Sequence, residues 1–335
     1  MITSIGRRTY LAEYFREALY GDGSVIGVDA DATAPALAAC DRAFTVPRIT
    51  EEGYVDAIVA LIEREHVDMV FSVNDLELRL LADRRTEIET ATGATLYVPE
   101  PKSARVCADK WATHEYAHDV GIPTPRTFLS VEDALDAAAQ GVVAFPLIVK
   151  PRFGSGSVGI ARVDDATDLG SAVDRCRAAI MSYVGGALDA RGQVLVQEFL
   201  PGQEFGIDAL FSRSQELMGF AAKRKLSMRA GETDKATIVG PEPFQENIAK
   251  LASRVEHRGN LDCDFIVHEG IAHLIEMNPR FGGGYPFTHE AGVNHVAMLV
   301  GDYLGAPPEP YGYVPGATFA KCDRLVKVAS PTVWR

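Results

Sequence analysis

The chain has 335 residues, 47% of them hydrophobic and 24% charged, with 46 acidic side chains against 33 Lys and Arg and a formal net charge of −13. A chain of this length buries a large core and divides into two or three lobes. Its acidity works against nucleic acid and anionic membrane surfaces as partners, although solubility alone accounts for the same charge. The five cysteines (Cys40, Cys107, Cys176, Cys263, Cys322) are scattered, odd in number and without a CxxC pair. That pattern excludes a disulfide framework and a zinc site and predicts reduced thiols. With no signal-peptide core and no apolar run of membrane-spanning length, a cytoplasmic location is expected.

In chain order, Ser24–Asp29, Val67–Val73 and Ala94–Glu100 read as buried strands. Thr9–Tyr20 and Tyr54–Glu65 carry apolar residues at helical spacing between them. Such alternation predicts a parallel sheet with helices on both faces, whose ligands gather at the carboxyl ends of the strands. Those ends carry Gly6-Arg7-Arg8, Asp29 and Asn74-Asp75-Leu76-Glu77, residues that serve equally as turn formers and helix caps. Pro99 and Pro101 mark a boundary, and a helix through Asp109-Lys110-Trp111 ends at Gly121-Ile122-Pro123. From about Phe145 to Leu200, β signals and glycine dominate.

Within that stretch, FPLIVKPRFGSGSVGIARV places Gly154, Gly156 and Gly159 after a strand ending in Lys150. A dinucleotide fingerprint would open a helix at the last glycine, whereas Ile160-Ala161-Arg162-Val163 continues as β. The segment therefore reads as a hairpin with a glycine tip. Protein kinases also fold such a hairpin over ATP, but their lysine comes after it, and the HRD and DFG that should follow are missing. Backbone N–H groups at the tip and the Lys150 charge suit phosphate; the glycines also suit a plain turn.

Further on, VLVQEFLPGQEFGID ends a strand at Glu198-Phe199-Leu200 before a Pro-Gly turn, with Glu204 just beyond. Backbone groups there suit adenine, and Glu204 suits a ribose hydroxyl. FIVHEGIAHLIEMNP reads as a hairpin turning at His268-Glu269-Gly270. Two apart on its second strand, Glu276 and Asn278 face one side, and Asp264 lies on the partner strand. Carboxylate, amide oxygen and carboxylate form the hard-oxygen set that Mg²⁺ prefers when it bridges phosphates. Arg280, next along, suits charge on a transferred phosphoryl group. An edge strand with solvated polar residues fits poorly with Leu274, Ile275 and Met277 around them.

Together and in this order, these residues resemble the ATP-grasp superfamily over about residues 1–325, most of all single-module proteins similar to the carbamoyl-phosphate synthetase large subunit and carboxylate–amine (amino-acid) ligases. The resemblance implies an α/β (α+β) fold of three lobes: a Rossmann-like N-terminal parallel-sheet lobe over 1–100, and an ATP-grasp domain over 101–325 with a small β-rich flap lobe at about 125–200 and a mixed C-terminal lobe. Residues 326–335 are set aside as a tail.

By the same resemblance, Lys110 and Lys150 contact ATP phosphates, Ser155-Gly156-Ser157 form the flap tip, Glu198, Phe199 and Leu200 read adenine, and Glu204 takes the ribose. Asp264, Glu276 and Asn278 hold Mg²⁺ (Mn²⁺ is admissible), with Asp264 standing where relatives often have Glu or Gln. Arg280 and Lys150 act in catalysis, and Lys223, Arg224 and Arg229 contact the substrate. The implied reaction joins a small-molecule carboxylate to an amine through an acyl phosphate, releasing ADP. The alternatives are a carbamoyl-phosphate-synthetase-like kinase step and a nucleotide-binding module without turnover. The absence of a glutaminase or second ATP-grasp module argues against complete carbamoyl-phosphate synthesis from glutamine, and a homodimer is allowed for.

Overall fold

The computed structural model describes residues 1–154, 159–184, 193–306, 312–328 and 330–333. The N-terminal lobe is built on β1 (Ile2–Thr3), β2 (Ile26–Asp29), β3 (Arg42–Thr45), β4 (Met69–Ser72) and β5 (Thr95–Tyr97). They pair only in parallel, in the order β3-β2-β1-β4-β5. Three of these are the cores of strands expected from sequence. β1 and β3 are too short and too mixed in composition to show a period. Helices Thr9–Leu19 and Tyr54–Glu65 form where the helical spacing places them. Thr332–Val333, inside the segment set aside as a tail, returns to pair in parallel with β3.

The second lobe is a four-stranded sheet of β6 (Thr127–Phe128), β7 (Leu147–Pro151), β8 (Ala161–Val163) and β9 (Val194–Glu198), ordered β6-β9-β7-β8. β7 and β8 are antiparallel neighbours, Leu147 facing Val163, so the glycine segment is a hairpin and not a strand–turn–helix. Helix Leu169–Val184 lies inside the stretch read as β-rich. Its Leu169, Ala172, Val173, Cys176 and Ile180 pack against β7 and β9 through Val149 and Val196. That is an i, i+3, i+4 stripe, which the neighbouring glycine and β signals obscure.

The third lobe is an antiparallel sheet of β10 (Gln203–Phe211), β11 (Leu217–Arg229), β12 (Glu232–Val239), β13 (Gly259–His268), β14 (Ile271–Asn278) and β15 (Thr318–Ala320), ordered β14-β13-β10-β11-β12-β15. The β13–β14 hairpin turns on two residues, Glu269 at φ 50° and Gly270 at φ 81°. Left-handed backbone at both positions matches the twist of the strands it joins. One sheet face is apolar: Ile207, Ala209, Phe211, Cys263, Phe265, Leu274 and Met277 pack on Phe244, Ile248 and Leu251. The other face is polar at its middle. At one end it merges with the N-terminal lobe, where Ile5, Leu11, Phe15 and Phe71 share a core with Leu210, Phe281, Tyr285 and Leu299. No helix among the described residues is long and apolar enough to cross a membrane.

Candidate active site

Strand alternation puts the acidic residues together. Asp264 faces Glu276 and Asp262 faces Asn278 across the β13–β14 ladder, while Gly206 and Asp208 of β10 face Asp264 and Asp262 on the other side. The register jumps between Asp264 and Phe265, leaving Ile275 without a ladder partner. Leu274 lies in the apolar core, so unbroken alternation would turn Glu276 toward that core as well. The bulge re-aims Glu276 onto the polar face, a use of bulges common beside active sites.

Three lysines from different elements close on this pair. Lys110 opens helix Lys110–Asp119, whose N-cap is the Asp109 side chain accepting from Trp111 N. Its Nζ stands 3.5 Å from Glu276 Oε2 and donates to Gly154 O at 2.5 Å, at the foot of the glycine hairpin. Lys150, buried at the end of β7, donates to Gln197 Oε1 at 2.8 Å, and Gln197 is tied in turn to Thr127. Burial and the neighbouring Lys110 charge pull the Lys150 ammonium down to about 8, with Glu276 opposing them. Lys225 Nζ lies 2.6 Å from Asp264 Oδ1. Burial pushes the Glu276 carboxyl up, but Lys110, Lys150 and Lys225, with a hydrogen bond from Asn278, outweigh it and hold the group below the ordinary carboxylate value.

Arg280 is met from the N-terminal lobe. Its Nε and Nη2 donate to the two oxygens of Asp75 at 2.7 and 2.8 Å, and Nη2 also approaches Asn278 Oδ1 at 3.5 Å. Asp75 sits at the carboxyl end of β4, at the start of helix Asp75–Asp83, whose cap is the Asn74 side chain. Two residues on, the buried Glu77 accepts from Ser4, Tyr54 and Ser72 hydroxyls at 2.8, 2.6 and 2.7 Å and so fixes that end of the lobe.

Other expected contacts fall elsewhere. Lys223 is on the polar face but is 1% exposed, its Nζ 2.5 Å from Asp208 Oδ2. Asp208 also accepts from Thr288 at 2.5 Å and from Asn260 at 3.1 Å, and Asn260 meets His295 at 2.8 Å. Burial pulls His295 down to about 4, with Lys223 adding to it and Asp208 opposing. Lys223 is therefore consumed in a sealed network and not presented to a substrate. Arg224 pairs across the ladder with Phe205 and, by alternation, points to the opposite side of the sheet from Lys223 and Lys225. Arg229 lies at the exposed β11–β12 tip, bound to Asp323 at 2.8 Å and Asp234 at 3.0 Å.

At the hinge, Glu198 N donates to Arg126 O at 2.8 Å and its carboxylate accepts from Arg126 N at 3.1 Å. Phe199 packs under the Arg162 guanidinium, 4.8 Å from its ring centre, and Leu200 is buried. Glu204 is exposed at the start of β10. Ser155, Gly156 and Ser157 lie outside the described residues. Lys225 and Gln197 carry no motif that marks them in the sequence, and Asp75 reads there equally as a helix-start residue. The same-face spacing of Lys223 and Lys225 was the available signal for Lys225.

The donor chemistry fits Mg²⁺: two carboxylates and an amide oxygen, all hard, on one face. No group of three or more His, Cys, Asp or Glu among the described residues is placed to hold a metal by itself. Such a site would leave ligand positions for phosphate oxygens and water.

Residues 1–96 match the model of the PylC-like N-terminal domain, and residues 107–284, more than half of the chain, match that of the ATP-grasp domain. The chain is 23% identical over 212 residues to the carbamoyl phosphate synthase large chain of Deinococcus radiodurans, covering 61% of this chain and 20% of that one. It thus spans about a fifth of the length of the carbamoyl phosphate synthase chains it matches. The biotin carboxylase domain of Hydrogenobacter thermophilus 2-oxoglutarate carboxylase, solved as a dimer with MgADP, ADP and bicarbonate, superposes at TM-score 0.73 and 18% identity over 92% of this chain and 70% of that one. N5-carboxyaminoimidazole synthetase from Staphylococcus aureus superposes at 0.67 and 13% identity, covering 92% and 77%. At such identities the superpositions establish the fold, and the domain match over more than half of the chain establishes the family: the chain belongs to the ATP-grasp family.

Proposed function

We propose that this chain activates a small-molecule carboxylate with ATP and joins it to an amine, releasing ADP and phosphate. The observation that carries the reading is the convergence of Lys110, from the linker helix, and Lys150, from the flap lobe, on Glu276, which a β-bulge turns out of the core. Ammonium groups placed around a hard-oxygen pair suit the outer phosphates of ATP, where the transferred group carries most charge. The MgADP in the Hydrogenobacter domain supports the same nucleotide and metal here.

Asp264, Glu276 and Asn278 supply the oxygens for Mg²⁺, whose charge would offset that of the phosphates. Lys110 and Lys150 hold ATP oxygens, and the hinge Glu198-Phe199-Leu200 and Glu204 take the nucleoside. The substrate carboxylate attacks the γ-phosphorus and the bond to the ADP oxygen breaks. Arg280, held by Asp75, faces the acyl phosphate and then the oxyanion formed when the amine adds. A flap over the site would keep water from the mixed anhydride. A homodimer and a cytoplasmic location belong to the same proposal, the first by likeness to the Hydrogenobacter dimer.

With a working acid and amine, chromatography should show ADP and inorganic phosphate in equal amounts. Hydroxylamine in place of the amine should trap the acid as a hydroxamate. AMP with pyrophosphate would overturn the reading. ADP without any trapped acyl species would favour phosphorylation of something other than a carboxylate.

A further inference from the structure

Lys110 and Lys150 come from different parts of the fold, and one ion pair joins the segments that carry them. Arg152 stands two residues beyond Lys150, just past the end of β7, and Asp109 stands directly before Lys110. The Arg152 guanidinium forks onto the Asp109 carboxylate, Nε to Oδ1 at 2.7 Å and Nη2 to Oδ2 at 2.6 Å, with the side chains 20% and 13% exposed. Its Nη1 donates to the Gln193 side chain, just before β9. The backbone is committed to the same seam. Arg152 N donates to Gln193 O at 3.0 Å, Arg152 O accepts from Lys110 N at 3.1 Å, and Asp109 and Phe153 form an isolated β-bridge. Asp109 Oδ1 also accepts from Trp111 N at 2.9 Å, as the cap of helix Lys110–Asp119. One carboxylate thus starts the helix that carries Lys110 and holds the strand end that carries Lys150.

We propose that the Asp109–Arg152 pair is a positioning clamp that fixes Lys110 relative to Lys150, so that the two ammonium groups meet the outer phosphates of ATP as one rigid pair. The inference rests on the nucleotide reading above, in which those lysines hold ATP oxygens. Neither clamp residue touches the nucleotide in that reading; both act through Lys110. Two like charges held around one site repel, so the backbone that bears them has to be restrained from outside the pair. A forked guanidinium–carboxylate contact does this well, because it fixes orientation as well as distance, which a point charge does not. The charge of Asp109 argues for the same role. An acid beside a phosphate site weakens phosphate binding by its field alone, so what it contributes there is position.

The test uses binding and needs neither acid nor amine. Calorimetry measures the affinity of the whole chain for the non-hydrolysable analogue AMP-PNP with Mg²⁺, and for adenosine, which has no phosphate. Asp109→Ser keeps a helix-capping side chain but removes both carboxylate oxygens, and Arg152→Gln removes the fork from the other side. Each should weaken AMP-PNP by about tenfold or more, the scale on which loss of a supporting partner of a binding group is felt, and leave adenosine unchanged. Added to Lys110→Met, Asp109→Ser should cost nothing further. AMP-PNP binding that is unchanged or tighter in Asp109→Ser would overturn the proposal, since tighter binding is what the field alone predicts. Equal losses for AMP-PNP and adenosine, or a full further loss on top of Lys110→Met, would overturn it too. If one variant fails to fold the other decides, and failure of both would make the pair a structural prop and not a clamp on the lysines. A wild-type chain that binds AMP-PNP no better than adenosine would count against the phosphate reading of Lys110 and Lys150 itself, which separates the two failures.

Discussion

Two acid–base clusters lie on the same face of one antiparallel sheet and share strands β11 and β13, yet they end differently. Around Asp208, the ion pair is closed: Lys223, Thr288 and Asn260 close on one carboxylate, the ion pair is 0–1% exposed, and helices Tyr285–Glu290 and His295–Tyr303 contribute Thr288 and His295 to the network. Around Asp264 and Glu276, one row along, the carboxylates are about a quarter exposed and three ammonium groups stand against two acids. The residue types and the alternation are shared, so neither distinguishes a structural pair from a functional one. What differs is cover and balance. A sealed pair must be neutral within itself because burying an unmatched charge costs too much. An open cluster can keep a surplus, and a positive surplus is available to phosphate.

The sealed cluster gives the largest expected effect. Asp208→Ala leaves the Lys223 ammonium buried without its counter-charge, which should lower stability by about 3–5 kcal/mol. Denaturant unfolding followed by circular dichroism measures it. A loss near zero would mean that water reaches Lys223, and the distinction between the two clusters would go.

Next in size is Glu276→Gln, which removes a charge from the open cluster with little change of volume. ADP-forming turnover should fall at least about a hundredfold, the scale on which a positioned electrostatic element is felt, while the unfolding midpoint stays where it is. A large drop in stability with modest loss of turnover would move Glu276 into the structural class. Wild-type turnover would remove it from the site.

The contrast also explains what could be read from sequence. The parallel lobe announced itself through strand–helix alternation, and the acidic strand through period two broken by hydrophobic neighbours, because those patterns are local. Glu276 and Asn278 were legible as a same-face pair, although the bulge at Ile275 that aims Glu276 was not. Lys223 and Lys225 could not be told apart. Both have the right spacing and charge, and their fates depend on which carboxylate each reaches across Gly206, a contact fixed by the neighbouring strands. Asp75 looked like a helix-start residue and is one, but its carboxylate meets Arg280 from 205 positions away. Such pairings are tertiary, and no periodicity carries them.

Arg229 sharpens the comparison from the other side, with the smallest effect. As a basic residue in the segment Lys223–Ala236 it has the sequence credentials of an anion contact, but it stands at the exposed end of β11 and pairs with Asp323 and Asp234. Those two carboxylates hold its charge up and already satisfy the guanidinium, and solvent screens what remains. It belongs to neither cluster, being neither sealed nor turned toward the Asp264–Glu276 pair. Arg229→Ala should therefore leave both the unfolding midpoint and the steady-state constants for ATP and for each substrate unchanged within error. A rise in KM for one substrate with kcat held would mean that the β11–β12 tip folds over the bound acid or amine. The open cluster would then extend further along the hairpin than the ion pairs of Lys110 and Lys225 mark it.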